Sequence, residues 1–159
     1  MVPVKEAVSS RAWLSFTADY LNSWDKENYQ IKFRVKILSF SKINLDAVNQ
    51  SSEIDAQYRG GIWWLMRLEV VNLCKKQIDA DDFGNLILLL DQDQFEFEVA
   101  YDRHLCRDSE YAEKSGLDRL YAGKLLPKIK VLGAVAFYLP EEDDMEYFLA
   151  VKNGKVCEA

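Results

Sequence analysis

The chain has 159 residues, 49% of them apolar, which excludes a disordered chain and suits one domain with a substantial core. Its formal net charge of −6 argues against a non-specific nucleic-acid binder, which needs a basic face, and less strongly against docking on anionic lipid. No apolar run approaches the ~20 residues of a membrane helix, so no membrane insertion is expected. No charged start followed by a long apolar run marks a signal peptide. The chain therefore reads as cytoplasmic as it stands, or as the mature fragment of a cell-envelope or secreted protein.

Residues 1–26 read as a tail followed by a helix. Trp13, Phe16, Tyr20, Leu21 and Trp24 recur at helical spacing, and Ser9 and Ser10 stand where a cap would fall. The rival reading is an edge strand using Ala12, Leu14 and Phe16. Residues 27–159 read as an all-β domain. Tyr29, Ile31, Phe33, Val35 and Ile37 alternate with Gln30, Lys32, Arg34 and Lys36, a strand with one buried and one solvated face. Phe40 to Arg59 is a long polar connection that needs either a crossing between sheets or a local helix.

Ile62, Trp64, Met66, Leu68 and Val70 then form a wholly apolar phase, opened by Gly60-Gly61 and closed by Asn72. This is the expected central strand. Trp63 and Leu65 occupy the opposite phase beside Arg67 and Glu69. An apolar pair on the outer face must be covered or used. The aromatic stripe of residues 13–24 is the expected cover. Cys74 to Asp82 reads as a polar turn, Leu86 to Leu90 as an interior strand, and Asp91 to Gln94 as a hairpin turn leading to Phe95, Phe97 and Val99. Alternation lapses from Tyr101 to Lys124, where Ser109 to Lys114 predicts a short helix stopped by Gly116. A long strand comes after Pro127, with Ile129, Val131, Gly133, Val135, Phe137 and Leu139 on one face, and Pro140 ends it. Met145, Tyr147, Leu149 and Val151 predict another strand, and Asn153-Gly154 a two-residue turn into a last short one. About seven strands without a βαβ rhythm favour an antiparallel β-sandwich, with a closed barrel as runner-up.

The order Gly61, Trp64, Met66, Leu68, Val70, Asn72, then Asp91, then Leu125 and Pro127, then Gly133, Val135, Phe137 and Pro140, resembles a bacterial immunoglobulin-like domain of unknown function. That domain occurs mostly in envelope lipoproteins and secreted proteins and is akin to a secreted mycobacterial immunogenic protein. The resemblance spans roughly residues 29 to 152. It implies an immunoglobulin-like sandwich and no catalytic residues. Lys128 replaces a glycine that the family often places after the proline, and the lipobox and Ser/Thr-rich linker are absent.

Catalytic chemistry has little to build on. His104 is the single histidine, with Cys106 two residues on, and no Gly-x-Ser-x-Gly elbow is present. No paired cysteine spacing supports zinc. Asp79 to Gly84 opens like a calcium loop, but Phe83 and Leu90 stand where ligands are needed. No glycine-rich phosphate loop exists, and no cofactor is called for. The odd cysteine count, Cys74, Cys106 and Cys157, leans toward a reducing compartment, with one disulfide or three thiols both open. The expectation is a non-enzymatic module binding another protein or a second copy of itself, with Trp63, Leu65, Trp13, Phe16, Tyr20 and Trp24 as its aromatic surface. The alternative is a module that takes a small ligand or carbohydrate on surface aromatics.

Overall fold

The computed structural model describes residues 1–21, 28–48, 58–121, 123–142 and 145–158. In chain order the elements are β1 (Val2–Pro3), α1 (Val4–Ser10), β2 (Leu14–Leu21), β3 (Asn28–Lys42), a 3-10 turn (Leu45–Ala47) and β4 (Gly61–Asn72). Then come β5 (Ile78–Asp79), α2 (Ala80–Leu86), β6 (Ile87–Leu90), β7 (Glu96–Glu98), α3 (Arg103–Cys106), α4 (Glu110–Ser115) and α5 (Leu117–Tyr121). β8 (Lys124–Leu125), β9 (Lys130–Pro140), β10 (Phe148–Val151) and β11 (Gly154–Glu158) complete the chain. The protein is mostly β, in antiparallel sheets. A five-stranded sheet runs β11-β2-β3-β4-β9, a four-stranded sheet runs β1-β10-β6-β7, and β5 pairs with β8.

The two-residue period explains the main core. Phe16, Phe33, Val35, Met66, Leu68, Val135 and Phe137 line one face of the larger sheet and share a cluster with Ile87, Leu89, Leu149 and Val151 of the smaller. α1 adds Val4 and Ala7, and α2 adds Phe83, whose ring lies 4.9 Å from that of Phe33. β4 is central, as its pattern predicts, paired with β3 on one side and β9 on the other. The interior strand expected at 86–90 stands at Ile87–Leu90, as β6 between β10 and β7, with Leu86 closing α2. α4 forms where Ser109 to Lys114 predicts it. Ser109 caps it by accepting from the Ala112 N–H at 3.0 Å, and Gly116 ends it in the left-handed region.

The amino-terminal expectation is corrected. Residues 14–21 are strand β2, not helix, and pair with β3 from Leu14↔Val35 onward. The rival strand reading holds for Leu14 and Phe16, which enter the core with Ala18, but Ala12 precedes the strand and β2 lies between β11 and β3 rather than at an edge. Helical spacing of the aromatics was coincidental: along β2 Phe16 and Tyr20 share the inward phase, while Trp13 precedes the strand in the opposite one. The helix lies earlier, at α1, in what reads as a tail; it ends at Arg11, whose φ is 51°. Ser10 is the last residue of that helix and caps no later one. β2 belongs to the five-stranded sheet, so the sheet is built from both sides of the 26/27 boundary. Trp24 and Asn49 to Ser52 lie outside the described residues.

The long connection after Phe40 links neighbouring strands rather than crossing between sheets, and it carries the 3-10 turn as local structure. The Asp79–Asp82 acids open helix α2, with Asp81 and Asp82 in its first turn. Negative side chains there face the positive end of the peptide dipoles. Within the stretch where alternation lapses, Arg103 to Tyr121 folds as α3, α4 and α5 over the outer face of β4 and β9. Tyr121 stitches this layer to the sheet: its hydroxyl accepts from the Ala136 N–H at 3.0 Å and donates to the Ala100 carbonyl at 2.5 Å.

Two turns have a steric logic. Asn153 (φ 53°) and Gly154 form the expected turn, but it does not close a hairpin, because β10 and β11 lie in different sheets. Gly154 instead presses against β2, where a Cβ would land on the Thr17 carbonyl oxygen and 2.6 Å from the Ala18 Cα. At the other end, the Asn72 side-chain amide donates to the Lys76 and Leu125 carbonyls, both at 2.9 Å, and its oxygen accepts from the Cys74 N–H at 2.8 Å. The Lys128 N–H bonds the Asn72 carbonyl at 2.8 Å, and Lys128 takes a φ of 64°. A glycine at that position would be free of Cβ strain.

Gly154→Ala is expected to destabilise the protein by about 2–3 kcal/mol, since only backbone could move to admit the methyl. Lys128→Gly is expected to stabilise it by up to about 1 kcal/mol, and Lys128→Val to destabilise it. Urea unfolding midpoints of the three variants check both statements.

Candidate functional site

β3 and β4 are much longer than the strands of the facing sheet: 15 and 12 residues against four each for β6 and β10. Their apolar phase therefore runs past the last strand that could cover it. The uncovered end forms a groove of about 520 Å³ between α1 and Pro140, Glu142, Met145 and Tyr147. Its floor is aromatic. Phe40 and Trp64 stack with ring centroids 4.7 Å apart and planes 21° apart, and Tyr147 meets Phe40 edge-on at 6.4 Å. Val4, Val8 and Met145 extend the apolar wall.

The polar groups at the rim are few. Lys42 faces Trp64 across the strands and holds its ammonium 5.8 Å from the indole centre. Lys5, Ser9 and Glu142 complete the lining. Burial, reinforced by Asp91 and Glu142, raises the Tyr147 hydroxyl above its ordinary pKa, so it remains a neutral donor. The Tyr147 carbonyl accepts from the Val4 N–H at 2.9 Å, fixing the start of α1 against this wall. Neither histidine nor cysteine appears among the described residues that line the groove. The arrangement suits holding a flat or apolar group, with cations and one carboxylate at its margin.

Among the described residues, those expected to form the aromatic surface do not come together as one exposed patch. Trp63 is only 2% exposed, so the outer apolar pair is indeed covered, but by other elements than expected. Tyr58 and Tyr138 pack on it at 4.7 and 5.5 Å, and Leu65 joins Leu105, Leu117, Ala134 and Ala136 under the helical layer. Phe16 lies in the main core. Tyr20 is half-buried at its margin. Trp13 is also half-buried, and its ring centre sits 4.6 Å from both the Arg34 guanidinium and the Lys36 ammonium. The site residues that sequence reasoning missed are Phe40 and Tyr147 as ring partners, with Lys5 and Lys42 at the rim. Phe40 was hidden by a register shift between Ile37 and Ser39, which moves the inward phase of β3 from odd to even positions.

His104 and Cys106 lie on α3, whose cap Asp102 is buried and accepts from the Leu105 N–H at 3.0 Å. Cys106 is fully buried, and burial pushes its thiol up to about 11, so it is no nucleophile at neutral pH. All three cysteines are free thiols; Cys157 is exposed, and Cys74 accepts from the Lys32 N–H at 3.3 Å. Among the described residues, no three His, Cys, Asp or Glu side chains converge in a way that could hold a metal ion.

No protein-family model matches the chain, and no curated protein is similar to it in sequence. Among solved structures, the chain is similar to a conserved hypothetical protein from Bacillus anthracis, at 13% identity and a TM-score of 0.49, over 91% of this chain and 96% of that one. It is also similar to a candidate lipoprotein from Bacillus subtilis, at 13% identity and a TM-score of 0.45, over 80% of this chain and 36% of that one. Neither likeness carries a functional argument.

A thiol that ionises near 9 when unfolded and near 11 when folded withholds its proton only in the native state. Unfolding then releases protons, so stability should fall as pH rises from about 9 to about 11, by up to about 3 kcal/mol from this group. Tyr121, held well above its ordinary value chiefly by burial, acts in the same direction. Cys106→Ala should flatten the decline, as read from urea midpoints across that range. In native protein, a thiol reagent should label Cys157 fastest and Cys106 only on unfolding.

Proposed function

We propose that the protein is a non-catalytic binding module of immunoglobulin-like sandwich type, and that its groove takes a small ligand with a flat or apolar face. A sugar ring and an acyl chain are the two chemistries that suit such a floor. The observation that carries this reading is the stacked Phe40–Trp64 pair at the bottom of a groove of about 520 Å³. That volume falls within the usual range for small-molecule sites, roughly 300–1,000 Å³, where apolar walls supply affinity and a few polar groups fix orientation. Lys5, Lys42 and Glu142 fill that orienting role.

The immunoglobulin-like assignment is supported by two antiparallel sheets sharing one core and by the central position of β4. A non-catalytic role fits a groove whose titratable side chains are lysines, one glutamate and one tyrosine. The competing reading, a protein docked along a sheet edge, would use β7 beside the exposed Phe95. Glu96 and Glu98 are exposed on that short edge, and charge there resists strand pairing, so the groove is preferred. No helix among the described residues is long and apolar enough to cross a membrane.

Thermal-shift screening against mono- and oligosaccharides and against fatty acids should find a ligand that raises the melting temperature. Trp64→Ala should weaken its binding at least tenfold, in keeping with the loss of an aromatic platform worth about 1.5 kcal/mol. A ligand bound equally well by Trp64→Ala rejects the groove as the site. A screen without any stabilising sugar or lipid rejects the small-ligand reading.

A further inference from the structure

The charge of this chain is segregated. Residues 28–37, 70–78 and 123–137 contain no aspartate or glutamate, although the chain carries 26 acids. The fold brings the near ends of these stretches, around Lys32–Arg34, 72–78 and 123–131, to one pole of the five-stranded sheet, where β4 ends and β9 begins. The Asn72 amide ties the Lys76 and Leu125 carbonyls together, so the turns after β4 and before β9 lie side by side. Lys32 joins them, because its carbonyl accepts from the Leu73 N–H at 2.9 Å. Lys130 sits level with Val71 and Arg34 across the sheet.

Bare aliphatic side chains stand among these cations. Leu126, Ile129 and Leu132 are 49%, 55% and 39% exposed, three of the six large apolar residues left open among those described. Leu126 and Ile129 are held at the two ends of one tight turn, with Lys128 between them and the Ile129 N–H donating to the Leu126 carbonyl at 3.3 Å. The acids nearest to this pole are Glu69, which reaches Lys130 only at 3.9 Å, and the group Asp79, Asp81 and Asp82 beside Lys124, of which Asp79 is held by that lysine at 2.7 Å; Lys75 and Lys128 form no ion pair among the described residues.

We infer that this pole is a peripheral docking surface for an anionic lipid membrane, with Leu126 and Ile129 entering the headgroup layer and Lys75, Lys128 and Lys130 meeting lipid phosphates. Both halves of that chemistry are present: apolar side chains that gain by leaving water, and lysines that gain by nearing anionic headgroups. The residue types favour lipid over a protein partner. Protein interfaces are enriched in aromatics and arginine and depleted in lysine, whereas this pole is aliphatic and lysine-rich. The formal charge of −6 opposes it only weakly, because charges farther away than a Debye length of about 8–10 Å are screened. The surface is independent of the aromatic groove.

Flotation of the full chain with vesicles tests this. The protein should rise with vesicles of equal phosphatidylglycerol and phosphatidylcholine at low salt, and not with phosphatidylcholine alone. Lys75→Gln, Lys128→Gln and Lys130→Gln should each weaken partitioning about fivefold, the equivalent of ~1 kcal/mol per cation. Leu126→Glu with Ile129→Glu should abolish it while leaving the cooperative melt intact; the milder Leu126→Ala should weaken it if the double variant does not fold. Lys114→Gln, on the helical layer, should change nothing. Failure to float with the anionic vesicles overturns the inference, as does equal binding by the lysine variants. Retention on immobilised polyglutamate without vesicle binding overturns it in favour of an acidic protein.

Discussion

The burial of β4 on both faces is the constraint on which the rest of the architecture depends. Its backbone is paired along both edges, by β3 and by β9. Met66, Leu68 and Val70 fill the core shared with the second sheet, while Trp63 and Leu65 on the opposite phase need a second cover. An apolar strand face left in water would lose roughly 25 cal/mol for every Å² left unburied. The chain meets this with three short helices placed between β7 and β9 in sequence. Their small residues, Ala112 among them, pack on Ala134 and Ala136, where larger side chains would hold the layer away from the sheet. The fold is thus one sheet with a sheet on its first face and a helical layer over part of its second.

The groove has its origin in the same geometry. Antiparallel strands of unequal length cannot cover each other completely, and the surplus apolar face must end somewhere. Here it ends at Phe40 and Trp64, flanked by a helix that begins four residues into the chain. The amino terminus therefore contributes twice, with β2 inside the larger sheet and α1 as a wall of the groove. Changes to α1 would reach the groove directly, through Val4, Lys5 and Val8.

Charge is organised on a larger scale than pairs. The ion pairs, such as Lys114–Glu110 and Lys152–Glu98, are exposed contacts, of a kind that contributes little to stability. What distinguishes the molecule is where acids are missing. A cationic, aliphatic pole and an aromatic groove offer two surfaces of different chemistry on one rigid sheet. Net charge describes neither of them.

By itself, the sequence determined the strands with clean alternation. The core phases of β3 and β4, the interior character of β6, the capped helix α4 and the turn at Asn153-Gly154 are local properties, legible from period, caps and left-handed turn residues. It could not determine the fate of residues 13–21, where helical and extended spacings both found apolar positions and only pairing with β3 chose between them. Nor could it show which element covers Trp63, since burial of an apolar surface is non-directional and any greasy segment would serve. The groove was illegible because it depends on a register shift within β3 and on the relative lengths of strands far apart in the chain. The cationic pole was illegible because the near ends of three acid-free stretches become one surface only when Asn72 and the sheet register bring them together.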